Sequence, residues 1–406
     1  MKRKTLLLSS VLASALFLQS GLVDAAAPAA SPAAAAATAQ PYPAPIPPEI
    51  AARAYLLIDV SANGQVLAAK NADKPVEPAS LTKLMTAYVV FDALKNKRLA
   101  LDQKLTVSER AKKVEGSRMF VDAGWQVPVE DLLKGLIVQS GNDAANVLAE
   151  GVGGSVENFV QMMNHTATQL GMTGTHYQNA EGLTQDGHTT TAHDLALLAQ
   201  RLMQDFPQYT GYYAIKHYRY PGTPLSNDTN RNTLLFRDPS VDGLKTGHTA
   251  AAGYCLVSTA KREYAGVGPR RLVSIVLGAA SDNARAAESQ KLLNWGFVAY
   301  QPVKLFAAGK PVSEAPIFKG SRSTLAIGLP RDVIVAVPAG TAGQVTTALS
   351  RPNPLLAPVR KGQAMGSLQV SVSGRPYTQL PMQALQDVPQ AGWFGRSWDA
   401  VRLWIQ

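Results

Sequence analysis

The sequence predicts an α+β protein: an antiparallel sheet flanked by helices and joined to a helical lobe, then a small all-β domain, then a C-terminal amphipathic helix. Three observations carry that prediction. Paired apolar runs of strand length stand near residue 54 and again near residue 253, and such pairs joined by short turns build antiparallel sheet. Residues from about 92 to 235 read mainly as helices and loops. Beyond Pro302 the apolar segments become short and are separated by Gly and Pro, the texture of a small β domain. At 406 residues the chain is also longer than one hydrophobic core usually serves.

The elements follow in order. Met1-Lys2-Arg3-Lys4, an apolar run from Leu6 to Phe17 and the small residues Val23-Asp24-Ala25-Ala26-Ala27 have the layout of a secretory signal peptide, residues 1–25. Ser9, Ser10, Ser14, Gln19 and Ser20 dilute the segment, which disfavours an uncleaved anchor. Residues 26–49 are almost only Ala and Pro; that composition buries no core, so a mobile tether is expected.

The main domain is expected over residues 50–301. Ala54-Tyr55-Leu56-Leu57-Ile58-Asp59-Val60 and Gln65-Val66-Leu67-Ala68-Ala69 flank an Asn63-Gly64 turn and form a hairpin. A helix then carries Leu81, Leu84, Met85 and Tyr88 at three- and four-residue spacing. Val129 to Leu136 is apolar-periodic, and Ala144 to Glu150 resumes helical composition after a loop at Val138-Gln139-Ser140-Gly141-Asn142-Asp143. Gly253 to Ser258 and Arg271 to Leu277 form a second hairpin, and a helix from about Asn283 to Phe297 closes the domain.

The β domain is expected over residues 302–388, with strands at Leu325–Ile327, Val333–Val337, Val345–Leu349 and Leu368–Val372. In residues 391–406, Trp393, Phe394, Trp398, Val401, Trp404 and Ile405 share one helical face while Arg396, Asp399, Arg402 and Gln406 share the other. That is an amphipathic helix of interfacial type, too short and too charged to span a bilayer. Its expected partner is a membrane surface, preferred over packing on the protein's own core because tryptophan favours the interface and cations favour anionic lipid.

Composition narrows the function. Hydrophobic residues make up 46% and charged residues 17%, as in a soluble globular protein. The formal charge is +10, but an exported protein meets no nucleic acid routinely, so the charge reads as attraction to anionic lipid or wall polymer or, equally, as simple solubility. The single cysteine, Cys255, cannot form an internal disulfide and reads as a strand packing residue. His165, His176, His188 and His193 lack ligand spacing, so no metal and no other cofactor is expected.

The chemistry centres on Pro78-Ala79-Ser80-Leu81-Thr82-Lys83-Leu84-Met85. A serine hydroxyl needs a base within hydrogen-bond reach to attack a carbonyl. Ser80 and Lys83, three residues apart, lie on one helical face, and a first-turn serine has free backbone N–H groups beside it. Lys83 must be neutral to take the proton, and burial near other cations lowers its pKa in that direction. Ser-x-x-Lys alone is undemanding, with about one chance match expected in a chain this long. Ser140-Gly141-Asn142 in an interhelical loop and Lys245-Thr246-Gly247 at the start of a strand supply its companions in order.

These three motifs, with Asp242-Gly243-Leu244-Lys245-Thr246-Gly247-His248-Thr249, the trailing β domain and the C-terminal helix, resemble the low-molecular-weight penicillin-binding proteins that are D-alanyl-D-alanine carboxypeptidases. The likeness covers nearly all of the mature chain and implies a serine β-lactamase/transpeptidase-like main domain. It implies that Ser80 attacks the carbonyl between two terminal D-alanines of a peptidoglycan stem peptide, with Lys83 as base and Ser140 relaying a proton to the leaving amine. Asn142 then binds the substrate amide, Lys245 adds positive potential, and Thr246 and Gly247 line the strand along which the peptide lies. The oxyanion hole resembles backbone N–H groups of Ser80 and His248, and Arg231 is the position matching the arginine that receives the terminal carboxylate. β-Lactam antibiotics are the covalent inhibitors this implies. The implied location is periplasmic, peripheral on the outer face of the cytoplasmic membrane.

Related activities remain open at this stage: a DD-endopeptidase, a weak transpeptidase, a class A β-lactamase, or a non-catalytic wall-binding scaffold. The β-lactamase reading requires a Glu-x-x-Leu-Asn element, which is absent between Ser140 and Lys245; the nearest acid is in Glu181-Gly182-Leu183.

Overall fold

The computed structural model of the chain describes residues 40–393, 397–399 and 404. The signal peptide and the first part of the tether lie outside the described residues, as do Phe394, Arg396, Val401, Arg402, Ile405 and Gln406 of the amphipathic helix.

The main domain begins with β1 (Ala54–Asp59) and β2 (Gln65–Lys70), antiparallel across the Asn63-Gly64 turn. A short 3-10 turn over Ala79–Thr82 leads into α1 (Lys83–Lys95). The lobe follows as β3 (Lys104–Thr106), α2 (Glu109–Lys113), β4 (Gln126–Pro128), α3 (Val129–Val138), α4 (Asn142–Gly153), α5 (Val156–Leu170), α6 (Ala192–Asp205) and α7 (Leu234–Arg237). The chain then returns through β5 (Val241–Thr249), β6 (Gly253–Tyr264), β7 (Gly268–Ala279) and α8 (Asp282–Ala299). The sheet order is β2-β1-β7-β6-β5, so both predicted hairpins join one five-stranded sheet and β5 is left at its edge.

Period-two alternation divides that sheet between two cores. Leu56 and Ile58 of β1, with Val257 of β6 and Ile275 of β7, face the lobe and pack with Leu84 and Met85 of α1, Leu136 of α3 and Leu148 of α4. Tyr55 and Leu57 face the other way, with Leu256, Leu272 and Val276, onto Leu292, Leu293 and Phe297 of α8. Helix α1 is apolar nearly all round because it runs through the middle of the first core, where Leu84, Met85, Val90 and Phe91 are fully buried. At the far end of the sheet, Arg270 Nε donates to Asp59 Oδ2 at 2.6 Å with both side chains fully buried.

Beyond α8 the chain is almost entirely strand: β8 (Tyr300–Phe306), β9 (Pro311–Phe318), β10 (Thr324–Gly328), β11 (Val333–Pro338), β12 (Val345–Ser350), β13 (Leu355–Leu356), β14 (Ala364–Val372) and β15 (Arg375–Ala384). A six-stranded sheet, β12-β14-β15-β10-β9-β13, and a β11-β8 ribbon enclose a third core. The ribbon also reaches the main domain, since Ile334 and Ala336 of β11 join the α8 core.

Part of the expected tether is fixed. Tyr42 N–H donates to Pro376 O at 2.9 Å and its ring meets Tyr377 edge-on, so an aromatic side chain docks a segment that its Ala/Pro neighbours would leave loose. Near the other end, Lys319 N–H donates to Asp399 Oδ2 at 2.6 Å. Among the described residues no helix is long and apolar enough to cross a membrane.

Candidate active site

Ser80 sits on the 3-10 turn rather than within the α-helix. Ala79 adopts φ +49°, Leu81 N–H returns to Pro78 O, and Thr82 Oγ1 donates to Ala79 O at 2.8 Å. The turn leaves the N–H of Ser80 ahead of any intrahelical bonding. Lys83 then opens α1 and points inward, 1% exposed.

Lys83 Nζ lies 3.0 Å from Ser80 Oγ, 2.7 Å from Asn142 Oδ1 and 2.6 Å from Glu181 O. Asn142 and Glu181 offer only acceptors at these atoms. A neutral amine spends its two N–H bonds on them and turns its lone pair to Ser80, the arrangement a general base requires. Burial pushes the Lys83 ammonium down to about 7; the Glu181 and Asp143 carboxylates oppose the fall and Arg231 assists it.

Ser140 follows α3 in the left-handed region at φ +59°, buried, its Oγ without a hydrogen-bond partner among the described residues. Asn142 opens α4 with its amide committed twice, accepting from Lys83 and donating through Nδ2 to Glu115 O at 2.5 Å. The amide thus braces Lys83. Asp143 accepts the backbone N–H groups of Met119 at 2.8 Å and Phe120 at 2.7 Å, tying the segment before β4 to the Ser140 loop.

The third motif lies on edge strand β5. A Cβ at Gly247 would stand 3.1 Å from Pro78 O and 3.2 Å from Leu81 N, so the missing side chain lets the strand close on the Ser80 turn without either backbone giving way. Lys245 and Thr246 are buried, and Lys245 Nζ donates to Thr246 O at 3.0 Å. Burial holds Lys245 well below the usual lysine range, and Lys83, Arg231 and Arg285 add like-charge repulsion. His248 is exposed and stacks on Tyr254 at 4.0 Å. Arg231 is exposed, with Nε donating to Gln139 O at 3.1 Å and Nη2 to Asn227 Oδ1 at 3.0 Å.

Ser80, Ser140, Arg231, Thr246, Gly247 and His248 thus line one cleft of about 240 Å³, while Lys83, Asn142 and Lys245 are buried among them. The cleft walls also include Ser117, Tyr254, Asp282 and Arg285, none of which the sequence reading singled out. Arg285 donates to Gly247 O at 3.0 Å and pairs with Asp282, so an arginine that resembles a surface residue of α8 steadies the strand edge. Asp143 was legible only as the residue after Asn142, and Ser117 carries no local signal. Among the described residues no group of His, Cys, Asp or Glu has the makings of a metal site.

With this geometry, a serine paired with a desolvated amine and a second serine across the cleft can do acyl transfer at a strand edge that accepts an extended peptide. Comparison with known proteins agrees. Residues 38–281 match the family model described as D-alanyl-D-alanine carboxypeptidase, and residues 300–390 match that of the C-terminal domain of penicillin-binding protein 5. The chain is 39% identical over 364 residues to the D-alanyl-D-alanine carboxypeptidase DacC of Escherichia coli, covering 88% of this chain and 89% of that protein. It is similar to the crystal structure of penicillin-binding protein 5 from Haemophilus influenzae, with TM-score 0.77 and 35% identity over 85% of this chain and 99% of that one. It is also similar to penicillin-binding protein D2 of Listeria monocytogenes in its ampicillin-bound form, with TM-score 0.55 and 32% identity over 62% of this chain and all of that one.

Proposed function

The chain belongs to the D-alanyl-D-alanine carboxypeptidase family and is a serine hydrolase of it, and on that premise we propose how its residues divide the reaction. Ser80 passes its proton to the Lys83 lone pair as Oγ attacks the carbonyl between the two terminal D-alanines. The oxyanion is held by backbone N–H groups of Ser80 and His248, worth a few kcal/mol in such sites. The departing D-alanine amine takes a proton through Ser140, and water then releases the acyl group from Ser80. Arg231 receives the terminal carboxylate, and Lys245 deepens the positive potential beside it. Thr246 and Gly247 hold the peptide as an added strand on β5. The observation that carries this reading is the 3.0 Å approach of Lys83 Nζ to Ser80 Oγ while its other contacts are acceptors.

The substrate is the peptidoglycan stem peptide, and β-lactams acylate the same serine, as the ampicillin-bound relative suggests. The protein is exported to the periplasm by the segment at its N-terminus. It rests on the outer face of the cytoplasmic membrane through the C-terminal segment, whose Trp393, Trp398 and Trp404 are exposed. Asn142 keeps one amide N–H and one Oδ1 lone pair beyond its Glu115 and Lys83 contacts with which to meet the peptide.

The test is release of D-alanine from a soluble peptide ending in D-Ala-D-Ala, alongside covalent labelling by a fluorescent penicillin. Both are expected for the intact protein and neither for Ser80→Ala. Labelling without release would replace carboxypeptidase action by endopeptidase action or by a binding role.

A further inference from the structure

The catalytic scheme makes no use of one buried acid. Glu181 lies in the loop between α5 and α6, 7% exposed. Its main-chain oxygen accepts from Lys83 Nζ at 2.6 Å. Its carboxylate Oε2 accepts from Asn146 Nδ2 at 3.2 Å, and the same Asn146 nitrogen donates to Asn142 O at 3.0 Å. Asn142 in turn accepts from Lys83. The acid, two asparagines and the base therefore form one closed, buried ring.

We propose that Glu181 is a positioning residue for Lys83: it fixes the amine through its carbonyl and, through its carboxylate charge, governs how firmly Lys83 keeps its proton. This rests on Lys83 being the base for Ser80. Three charged groups bear on that amine. Asp143 faces it from α4, but its carboxylate is shared among backbone N–H groups of Met119, Phe120 and Ala144. Arg231 is the cation that drives the proton off, while Lys245 on β5 is itself pushed down by Lys83. Glu181 exerts the largest opposing influence on Lys83, and Lys83 is the charged neighbour that most favours the Glu181 carboxylate against the cost of its burial. A negative charge there restrains the loss of the proton in the resting enzyme. It also steadies the ammonium that forms when Ser80 gives up its proton, before that proton passes on toward the leaving amine.

The test is the second-order rate of acylation by a chromogenic penicillin from pH 5 to 9. Glu181→Gln keeps the carbonyl and an oxygen for Asn146 but removes the charge. Its acid limb is expected about one pH unit below that of the wild type, so that the low-pH rate relative to the plateau rises up to about tenfold. Glu181→Asp, which keeps the charge, leaves the limb closer to its original place. Asn146→Asp adds a negative charge to the ring and moves the limb the other way, which serves should the glutamine variant not fold. A limb that stays put in the folded variants, or a uniform loss of rate at every pH, overturns the proposal. Acylation that survives in Ser80→Ala would instead remove the underlying assignment of Lys83.

Discussion

Thr82 Oγ1 lies 2.8 Å from His188 Nε2, directly behind the turn that carries Ser80. Gln178 N–H donates to His188 Nδ1 at 3.0 Å, so Nε2 bears the proton and donates to Thr82, which donates to Ala79 O. Burial pushes His188 down to about 4 from its ordinary 6.5. A histidine depressed in the folded state favours folding above its unfolded pKa, and that contribution is lost as the pH falls from 6.5 toward 4, in total about 3 kcal/mol. Thermal melts across this window should fall steeply for the wild type and less steeply for His188→Gln. The variant should also be less stable at pH 7. Parallel curves would show that the imidazole does not titrate with folding.

Gly182 holds φ +91°, and a Cβ there would stand 1.9 Å from Ala79 O and 2.9 Å from Ser80 N. Gly182→Ala must therefore push the turn that carries Ser80. Acylation should slow by about a hundredfold, the scale of a displacement of about 1 Å at a reacting group. Penicillin labelling kinetics on the folded variant measure this; a rate near that of the wild type would mean the turn is loosely held.

The Asp59–Arg270 pair is buried far from the cleft, with Arg270 Nη1 also donating to Tyr300 O at 2.7 Å. Arg270→Met leaves the carboxylate unpaired and should cost about 3–5 kcal/mol by urea unfolding. Replacing both residues by apolar ones should cost less than the two single changes added together. Acylation per folded molecule should remain unchanged in each.

Deleting Trp393–Gln406 removes three tryptophans exposed by 67%, 67% and 88%. The signal-cleaved, truncated protein should lose co-sedimentation with vesicles containing anionic lipid, yet release D-alanine from soluble peptides at the same rate. Full-length protein should detach progressively as salt rises. Binding by the truncated form would assign the surface contact to another part of the chain.

The fold was legible where periodicity and turn chemistry agree. Both hairpins, the Ser80 helix and the α3–α4 pair follow from short-range patterns, and the strands sit within a few residues of where those patterns put them. Strands β8, β9 and β15 were missed because Pro and polar residues interrupt their alternation, and β13 because it is only two residues long. Long-range closure was not legible at all. Nothing local links Glu181 to Lys83 or Arg285 to Gly247, contacts that arise only when the lobe and α8 fold back on the sheet. The double commitment of the Asn142 amide is likewise a property of packing.

The cleft occupies the open side of β5, the last strand of its sheet. Such a strand is a ready template for another chain's backbone, and an unguarded one invites self-association. Arg231 stands exposed beside this edge, while Lys83, Lys245 and Arg285 are buried behind it. Two molecules meeting edge to edge would set their Arg231 side chains against each other, whereas a peptide ending in a carboxylate would be drawn in. A cation proposed to select the ligand would thus also work against the protein pairing with its own copies.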